Sequence, residues 1–255
     1  IYLFMLGLIV VPKLLFVVSS LVGRLVRRVF HLHRNWGNYI GLVIVLGELY
    51  VLFTGSMLGP DRLRVNEVTL EFNDLPQAFD GYRIVQFSDA HLGSMRTELL
   101  SRAVDEINSQ RPDMIVFTGD LQNMRPQELT RHAPVLARLH SRDGIYSVLG
   151  NHDYSEYLPS LPETTKRAYE RQTRSFETSI DWNLLLNDRR IIRRGQDSLV
   201  IAGGENDGLP PFPQKADLKR TLRGISSKSF VVMLQHDPSA WRRSILPYSK
   251  VQLTL

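Results

Sequence analysis

Two long apolar runs open the chain and contrast with the mixed pattern that follows. They cover residues 1–22 and 39–58, and Glu48 is the one charge in the second run. Each run approaches the roughly 20 residues that a helix needs to cross a bilayer. The pattern therefore predicts two transmembrane helices within a membrane anchor that covers residues 1–59.

Pro12 and Lys13 interrupt the first run and leave a second interpretation open. A lysine at the centre of a membrane helix costs roughly 2.5–3.5 kcal/mol on insertion scales. One span would then end near Val11, and an amphipathic helix would follow at the membrane surface. A buried helical hairpin of a soluble protein is disfavoured, because residues 41–49 are apolar all round apart from Glu48.

A short basic loop, residues 24–34, separates the two runs and contains four arginines. Loops rich in Lys and Arg stay on the cytoplasmic side of membranes. The chain is therefore expected to pass outward through the second run, so that everything after Gly59 and Pro60 lies outside the cytoplasm. Attraction of the loop to anionic lipid head groups is a second interpretation that is compatible with the first.

After residue 59 the pattern changes to short apolar strands that alternate with polar loops and helices. Strands that alternate with helices of this length indicate βαβ units, and hence an α/β domain with a parallel sheet. The predicted strands are 64–72, 82–88, 113–118, 145–149, 184–186, 191–194, 199–202, 230–234 and 251–255, and the predicted helices are 97–110, 126–140 and 163–180.

Charge and composition narrow the possible classes of function. The net charge of +5 comes almost wholly from the anchor, because residues 60–255 carry 26 basic and 25 acidic residues. A nearly neutral domain lacks the basic groove that follows a phosphate backbone, so a nucleic-acid partner is disfavoured. The chain has no cysteine, which excludes disulfides, thiolate metal sites and cysteine nucleophiles.

Four of the predicted strands end in a short polar motif. Taken singly, each motif has a local explanation as a turn or a helix N-cap. In an α/β sheet, however, ligands bind outside the carboxyl ends of the strands, so the motifs are expected to converge on one site. They are Asp89-Ala90-His91, Gly119-Asp120, Gly150-Asn151-His152-Asp153 and Gln235-His236-Asp237.

The residue types in these motifs are those that bind divalent metal ions. Carboxylate and amide oxygens and neutral imidazoles accept Mn, Fe, Zn or Co, so the identity of the metal stays open. Asp120 could bridge two ions, because a carboxylate has two oxygens. Two ions about 3.5–4 Å apart clamp a phosphoryl group and activate water. The pattern therefore favours hydrolysis of a phosphoester.

This ordered set of motifs resembles the calcineurin-like metallophosphoesterase superfamily, and the likeness covers residues 82–255. Within the superfamily the sequence is similar to the bacterial membrane-associated branch. Members of that branch have N-terminal hydrophobic spans and a motif that begins Phe-Ser-Asp-x-His, here Phe87-Ser88-Asp89-Ala90-His91. The resemblance implies a β-sandwich of two sheets, flanked by helices and built on a β-α-β-α-β core.

The resemblance also implies two metal ions and a role for each motif. His152 would be the general acid or a stabiliser of the transition state near the leaving oxygen, and Asp153 would orient it. The implied metal ligands are Asp89 and His91 for the first ion, Asp120 as the bridge, and Asn151 and His236 for the second ion.

The family pattern ends with a Gly-His-x-His motif after one further strand, which adds a histidine to each metal. This sequence stops at Leu255, after the corresponding strand. We therefore expect a metallophosphoesterase domain, residues 60–255, that is truncated at its C-terminus and weakly active at best. The alternative is a degenerate member that does not hold both ions tightly.

Two functions of different classes follow from the sequence. The leading hypothesis is a membrane-anchored, metal-dependent hydrolase of phosphomonoesters or phosphodiesters, displayed outside the cytoplasm on a bacterial inner membrane. Its substrate would derive from lipid or from the cell envelope. The alternative is a catalytically degenerate membrane module that binds phosphorylated lipids or a partner subunit. Residues 154–174, with several tyrosines and arginines, form either a lid or a solvated helix.

Overall fold

The structure, a computed structural model, describes residues 2–59 and 62–255. Ile1, and Pro60 at the predicted start of the second domain, lie outside these residues. The chain divides between Val68 and Thr69 into two compact units. The first contains the apolar helices, and the second contains the α/β domain.

The first unit is a helical hairpin. Helix α1 (Tyr2–Met5) continues through a π-helical turn (Leu6–Val10) into α2 (Val11–Val29), and α3 (Trp36–Phe53) continues into a second π-helical turn (Thr54–Leu58). Within the described residues, Leu6–Val29 and Trp36–Ser56 are long and apolar enough to cross a membrane. Pro12 lies at the start of α2, just after the π-helical turn, and because it has no N–H it cannot bond back to that turn.

The turn between α2 and α3 is fixed by a polar cap and by small residues. The Asn35 side chain accepts a hydrogen bond from the Gly37 amide at 3.1 Å and donates one to the Ser20 carbonyl at 3.0 Å. A Cβ atom on Gly37 would lie 2.7 Å from the Cα atom of Gly23. Glycine at these positions therefore allows the two backbones to approach closely.

The second unit contains two four-stranded sheets. The first is wholly parallel, with its strands side by side in chain order. It comprises β1 (Ile84–Phe87), β2 (Met114–Phe117), β3 (Ile145–Ser147) and β4 (Trp182–Leu184). The second comprises β5 (Asp188–Arg194), β6 (Asp197–Gly203), β7 (Phe230–Leu234) and β8 (Leu253–Thr254), with β5 antiparallel to β6 and the other pairs parallel.

The helices of this unit are short apart from two. They are α4 (Thr97–Ser109), α5 (Ala133–Leu136), α6 (Glu163–Ser179), α7 (Leu218–Thr221) and α8 (Leu246–Tyr248). Single turns of 3-10 helix occur at Gln77–Phe79, Pro126–Glu128, Thr130–His132 and Asn151–Tyr154, and a π-helical turn occurs at Trp241–Ile245.

The two sheets pack face to face, and helices cover the outer faces. Val116 of β2 points into the core between the sheets with Val232 of β7. Its neighbours Ile115 and Phe117 point the other way and pack with Val104 of α4, because successive side chains of a strand alternate between faces. The predicted α/β fold, a sandwich of two sheets flanked by helices, is confirmed.

Two predicted elements are wrong. Residues 126–140 form separate short turns and α5 instead of one helix. Pro134 lies at the start of α5, where its missing N–H prevents the hydrogen bond that would continue a helix from the preceding turn. Residues 64–72 belong to neither sheet. Alternation of apolar positions in that segment does not supply a neighbouring strand for its N–H and C=O groups.

Candidate metal centre

The four predicted site motifs lie together at the carboxyl ends of β1, β2, β3 and β7. Hydrogen bonds join the loop after β2 to the loops after β1 and β3. The His91 amide donates to the Asp120 carbonyl at 3.1 Å, and the His152 amide donates to Asp120 Oδ1 at 2.9 Å. Asp120, on the loop after β2, is therefore at the centre of the site.

Two glycines allow the loops after β2 and β3 to touch. A Cβ atom on Gly119, where φ is +104°, would lie 2.5 Å from the Gly150 amide nitrogen and 2.8 Å from His236 Nδ1. Asp89, His91 and Asp120 all adopt positive φ angles, between 42° and 62°. Left-handed backbone at non-glycine residues costs free energy and clusters at functional sites.

Three histidines present the same ring edge to Asp120. In each, Nδ1 faces a backbone carbonyl oxygen, which only accepts, so Nδ1 must carry the proton. Each Nε2 then faces the Oδ2 atom of Asp120. The Nδ1 partners are the carbonyl oxygens of Gln122 for His91 (3.3 Å), of Asn123 for His152 (2.5 Å) and of Thr118 for His236 (2.8 Å). The distance from Nε2 to Asp120 Oδ2 is 3.8 Å for His91, 4.0 Å for His152 and 3.5 Å for His236.

Asn151 adds a further acceptor to this set. Its Oδ1 atom lies 2.9 Å from His236 Nε2. Because Nδ1 of a neutral His236 holds the proton, its Nε2 presents a lone pair to two oxygens, one from Asn151 and one from Asp120. Either a proton on Nε2 or a metal ion between the atoms satisfies converging acceptors of this kind, and histidine ligands of metals commonly donate their other ring N–H to a carbonyl. The residues therefore fit a divalent cation.

The possible ligand atoms form two groups among the described residues. Those of His91, Asp120 and His152 lie within 4.8 Å of one another, as do those of Asp89, Asp120 and His236. Asp120 belongs to both groups and is 3% exposed, which is the position expected of a bridging carboxylate. The grouping differs from the one that the resemblance implies, because His152 lies with His91 and Asp89 lies with His236.

Asp153 is fully buried behind these ligands and holds the loops together. Its carboxylate accepts hydrogen bonds from the backbone amides of Asp120, Leu121, Gln122 and Gly150 at 2.8 to 3.2 Å. Burial, with the nearby negative charge of Asp120, raises the pKa of Asp153 to about 6 in spite of these bonds. The ring partner of His152 is the Asn123 carbonyl, so Asp153 acts on the backbone of the site.

Two further polar residues support the centre: Gln122, which sequence reasoning missed, and Tyr157, which lies in the segment 154–174 interpreted as a lid or a solvated helix. Gln122 is buried and donates to the His152 carbonyl at 3.0 Å and to Ser155 Oγ at 2.9 Å, while its Oε1 accepts from Thr173 of α6. Tyr157 stacks on the His152 ring. The one signal in the sequence for Gln122 was its position directly after Gly119-Asp120-Leu121, the loop that follows β2.

A buried acid lies behind the loop after β3. Glu177 of α6 accepts a hydrogen bond from Ser147 Oγ at 2.5 Å and is 0% exposed. Burial, with a further contribution from the charge of Asp153, raises the pKa of Glu177 well above its usual value. Glu177 therefore keeps its proton to higher pH than an exposed glutamate does.

Comparison with known families gives one match over most of the second unit. Residues 82–252 match the family model of the calcineurin-like phosphoesterases. This range contains every candidate ligand, from Asp89 to His236. It also contains both sheets up to the start of β8.

Three similar proteins illustrate the range of relatives. An uncharacterized metallophosphoesterase of Bacillus subtilis, YkuE, is 29% identical over 72% of this chain and 60% of its own length. A transmembrane protein with a metallophosphoesterase domain from Danio rerio is 25% identical over 75% of this chain and 43% of its own. The UDP-2,3-diacylglucosamine pyrophosphatase LpxG of Chlamydia muridarum is 32% identical over 54% of this chain and 45% of its own length. The chain thus spans less than two thirds of each relative.

Proposed function

Because the chain belongs to the calcineurin-like phosphoesterase family, we propose that it is a membrane-anchored, metal-dependent phosphoester hydrolase with two divalent cations around Asp120. One observation carries the proposal. Three imidazole Nε2 atoms face one buried carboxylate oxygen at 3.5 to 4.0 Å while their Nδ1 protons are held by backbone carbonyls.

Asp120 is the proposed bridge between the cations. Its Oδ1 atom is held by the His152 amide, which leaves Oδ2 directed at the three histidines. Asp89, whose Oδ1 atom also lies 3.8 Å from His91 Nε2, would hold one cation with His91, and Asn151 and His236 would hold the other. When bound, such cations polarise phosphoryl oxygens and lower the pKa of bound water. Asp89 has a side chain that is 57% exposed, and so it borders the open side where a phosphoester enters.

We assign the proton transfer to His152. The Asn123 carbonyl fixes its Nδ1 proton and thus its ring orientation. Of the three histidine Nε2 atoms, that of His152 lies farthest from Asp120 Oδ2, at 4.0 Å. A ring in this position would stabilise charge on the leaving oxygen or donate a proton to it. If it binds a cation instead, its removal will reduce metal content, which separates the two roles.

The proposed setting is the outer face of a bacterial inner membrane, with a substrate derived from lipid or the cell envelope. Two apolar helices support the anchor. The Danio rerio relative is named a transmembrane protein, and the Chlamydia relative is named for a diacylated sugar nucleotide. A domain held at the bilayer would meet such a substrate at the membrane surface.

The test is turnover by full-length protein purified in detergent and stripped of metal with a chelator. Mn²⁺, Fe²⁺ or Zn²⁺ should restore hydrolysis of an aryl phosphodiester, and an acylated pyrophosphate diester serves as the second substrate. Asp120→Asn is the matched variant, since it keeps the shape of the side chain and should stay inactive with every metal. Absence of metal-stimulated turnover on both substrates would contradict the hydrolase function and favour a non-catalytic binding module.

A further inference from the structure

Tyr157 contacts two candidate site residues from the loop between the Asn151–Tyr154 turn and α6. Its hydroxyl accepts a hydrogen bond from Asn151 Nδ2 at 2.6 Å. Its ring stacks on the His152 imidazole, with ring centroids 4.3 Å apart and planes inclined by 25°. The residue is 38% exposed, so it borders the site from the solvent side.

The hydrogen bond to Tyr157 anchors the Asn151 amide beside the candidate ligands. An amide has one oxygen with lone pairs and one NH₂ group that only donates. With the NH₂ held by Tyr157, the oxygen faces His236 Nε2 at 2.9 Å. A flipped amide would direct its hydrogens at the ligands and could not bind a cation. A cation requires the amide oxygen on its side, and the phenol then accepts from the NH₂ group on the other side and holds the amide in that orientation.

The stacked ring acts on the neighbouring histidine. The Asn123 carbonyl bonds one edge of the His152 ring, and His91 packs against it edge-on with centroids 4.8 Å apart. Tyr157 covers a face of the same ring. Together these contacts confine the imidazole to one plane, with Nε2 directed at Asp120.

We infer that Tyr157 is a positioning residue that orients the Asn151 amide oxygen toward the cation on the His236 side and holds the His152 ring in place. The inference rests on the proposed cation site. It does not require that the substrate be identified. It also gives one part of residues 154–174 a defined role: Tyr157 supports the ligands as well as bordering the opening.

The test separates the hydroxyl from the ring with two variants. Tyr157→Phe removes the hydrogen bond and keeps the stacked ring, whereas Tyr157→Leu removes both. Tyr146→Phe is the control, because that hydroxyl donates to the Asp143 carbonyl at 3.1 Å, at the opposite end of β3 from the site. Mn²⁺ binding to metal-free, full-length protein is measured by calorimetry and by electron paramagnetic resonance.

Tyr157→Phe should weaken one of two Mn²⁺ sites by about tenfold, the lower end of the effect of removing a partner of a metal ligand. The other site and the melting temperature of the metal-free protein should not change, and Tyr146→Phe should bind as the parent does. Tyr157→Leu should also lower kcat below that of Tyr157→Phe. Parent-like Mn²⁺ binding by Tyr157→Phe would overturn the inference.

The metal titration distinguishes failure of this inference from failure of the proposed function. A parent that binds Mn²⁺ but hydrolyses nothing, with the selective loss in Tyr157→Phe, supports the positioning role and contradicts the hydrolase. If the parent hydrolyses phosphoesters while Tyr157→Phe binds Mn²⁺ as the parent does, the hydrolase is supported and the positioning role is contradicted. A parent without any Mn²⁺ binding contradicts both.

Discussion

Oδ1 of Asn151 lies 2.9 Å from Nε2 of His236, although 85 residues separate them in the chain. The Thr118 carbonyl holds the proton of His236 on Nδ1, so both facing atoms are acceptors when the ring is neutral. Loops after β3 and β7 have thus been brought together around a position that suits a positive charge.

This relationship predicts a division of labour between ligands. Asp120→Asn should lower occupancy at both cation positions, because Asp120 belongs to both ligand groups. Asn151→Ala should lower occupancy mainly at the position beside His236. The measurement is the metal content of full-length variants after dialysis at graded metal concentrations. Equal losses in the two variants would mean that Asp120 is not the bridge.

The assigned role of His152 predicts a dependence on the leaving group. His152→Ala should keep its metal and lower kcat for an alkyl phosphoester by roughly 10²–10⁴-fold, the usual contribution of a positioned general acid. An aryl ester with a good leaving group should lose less, because its oxygen needs little protonation in the transition state. Equal losses on the two esters would exclude the acid role, and loss of metal would make His152 a ligand.

The sequence predicted the positions of the site motifs better than their roles. Asp89 and Asp120 follow neighbouring parallel strands of the first sheet, and His236 follows β7 of the second sheet, which packs against the first. The functions of Tyr157 and Asp153 depend instead on loop geometry that no periodicity encodes. Tyr157 stacks on His152 only because the chain turns back after the Asn151–Tyr154 turn.

The limits of sequence patterns are equally clear in the fold. The strands of the βαβ units were found within a few residues, since each is a short apolar run bounded by polar turns. Residues 126–140 contain enough apolar positions for a helix, yet Pro134 prevents a continuous helix from passing through it, and α5 covers only Ala133–Leu136. Residues 64–72 alternate correctly for a strand but lie in neither sheet, since pairing depends on distant segments.

Glu177 predicts a dependence of stability on pH. Its pKa is raised in the folded protein, so the folded state binds the proton more tightly than the unfolded state does. Its contribution to stability is therefore complete below the pKa of the unfolded chain, about 4.3, and is lost as pH rises through the folded value. Glu177→Gln stays neutral at every pH. Its melting temperature should therefore be higher than that of the parent at alkaline pH and close to that of the parent at pH 4.

The control for this prediction lies on the same helix. Glu163 in the first turn of α6 is exposed and makes an i,i+4 ion pair with Arg167. Glu163→Gln should follow the parent at every pH. If Glu177→Gln also followed the parent from pH 4 to alkaline pH, the raised pKa of Glu177 would be disproved.

The basic loop between α2 and α3 predicts the orientation of the domain. Residues 24–34 should stay in the cytoplasm, so a reporter that is active only in the cytoplasm should be silent when fused after Gly59. The matched fusion after Asn35, in the turn, should be active. A strong signal from the Gly59 fusion would reverse the proposed orientation.

The central claim is that two cations share Asp120, and anomalous scattering from crystals of Mn²⁺-loaded full-length protein tests it most directly. We predict two anomalous peaks about 3.5–4 Å apart, on either side of the Asp120 carboxylate. One should lie beside His91 and the other beside His236 and Asn151. A single peak away from Asp120, or no peak at saturating Mn²⁺, would contradict the account.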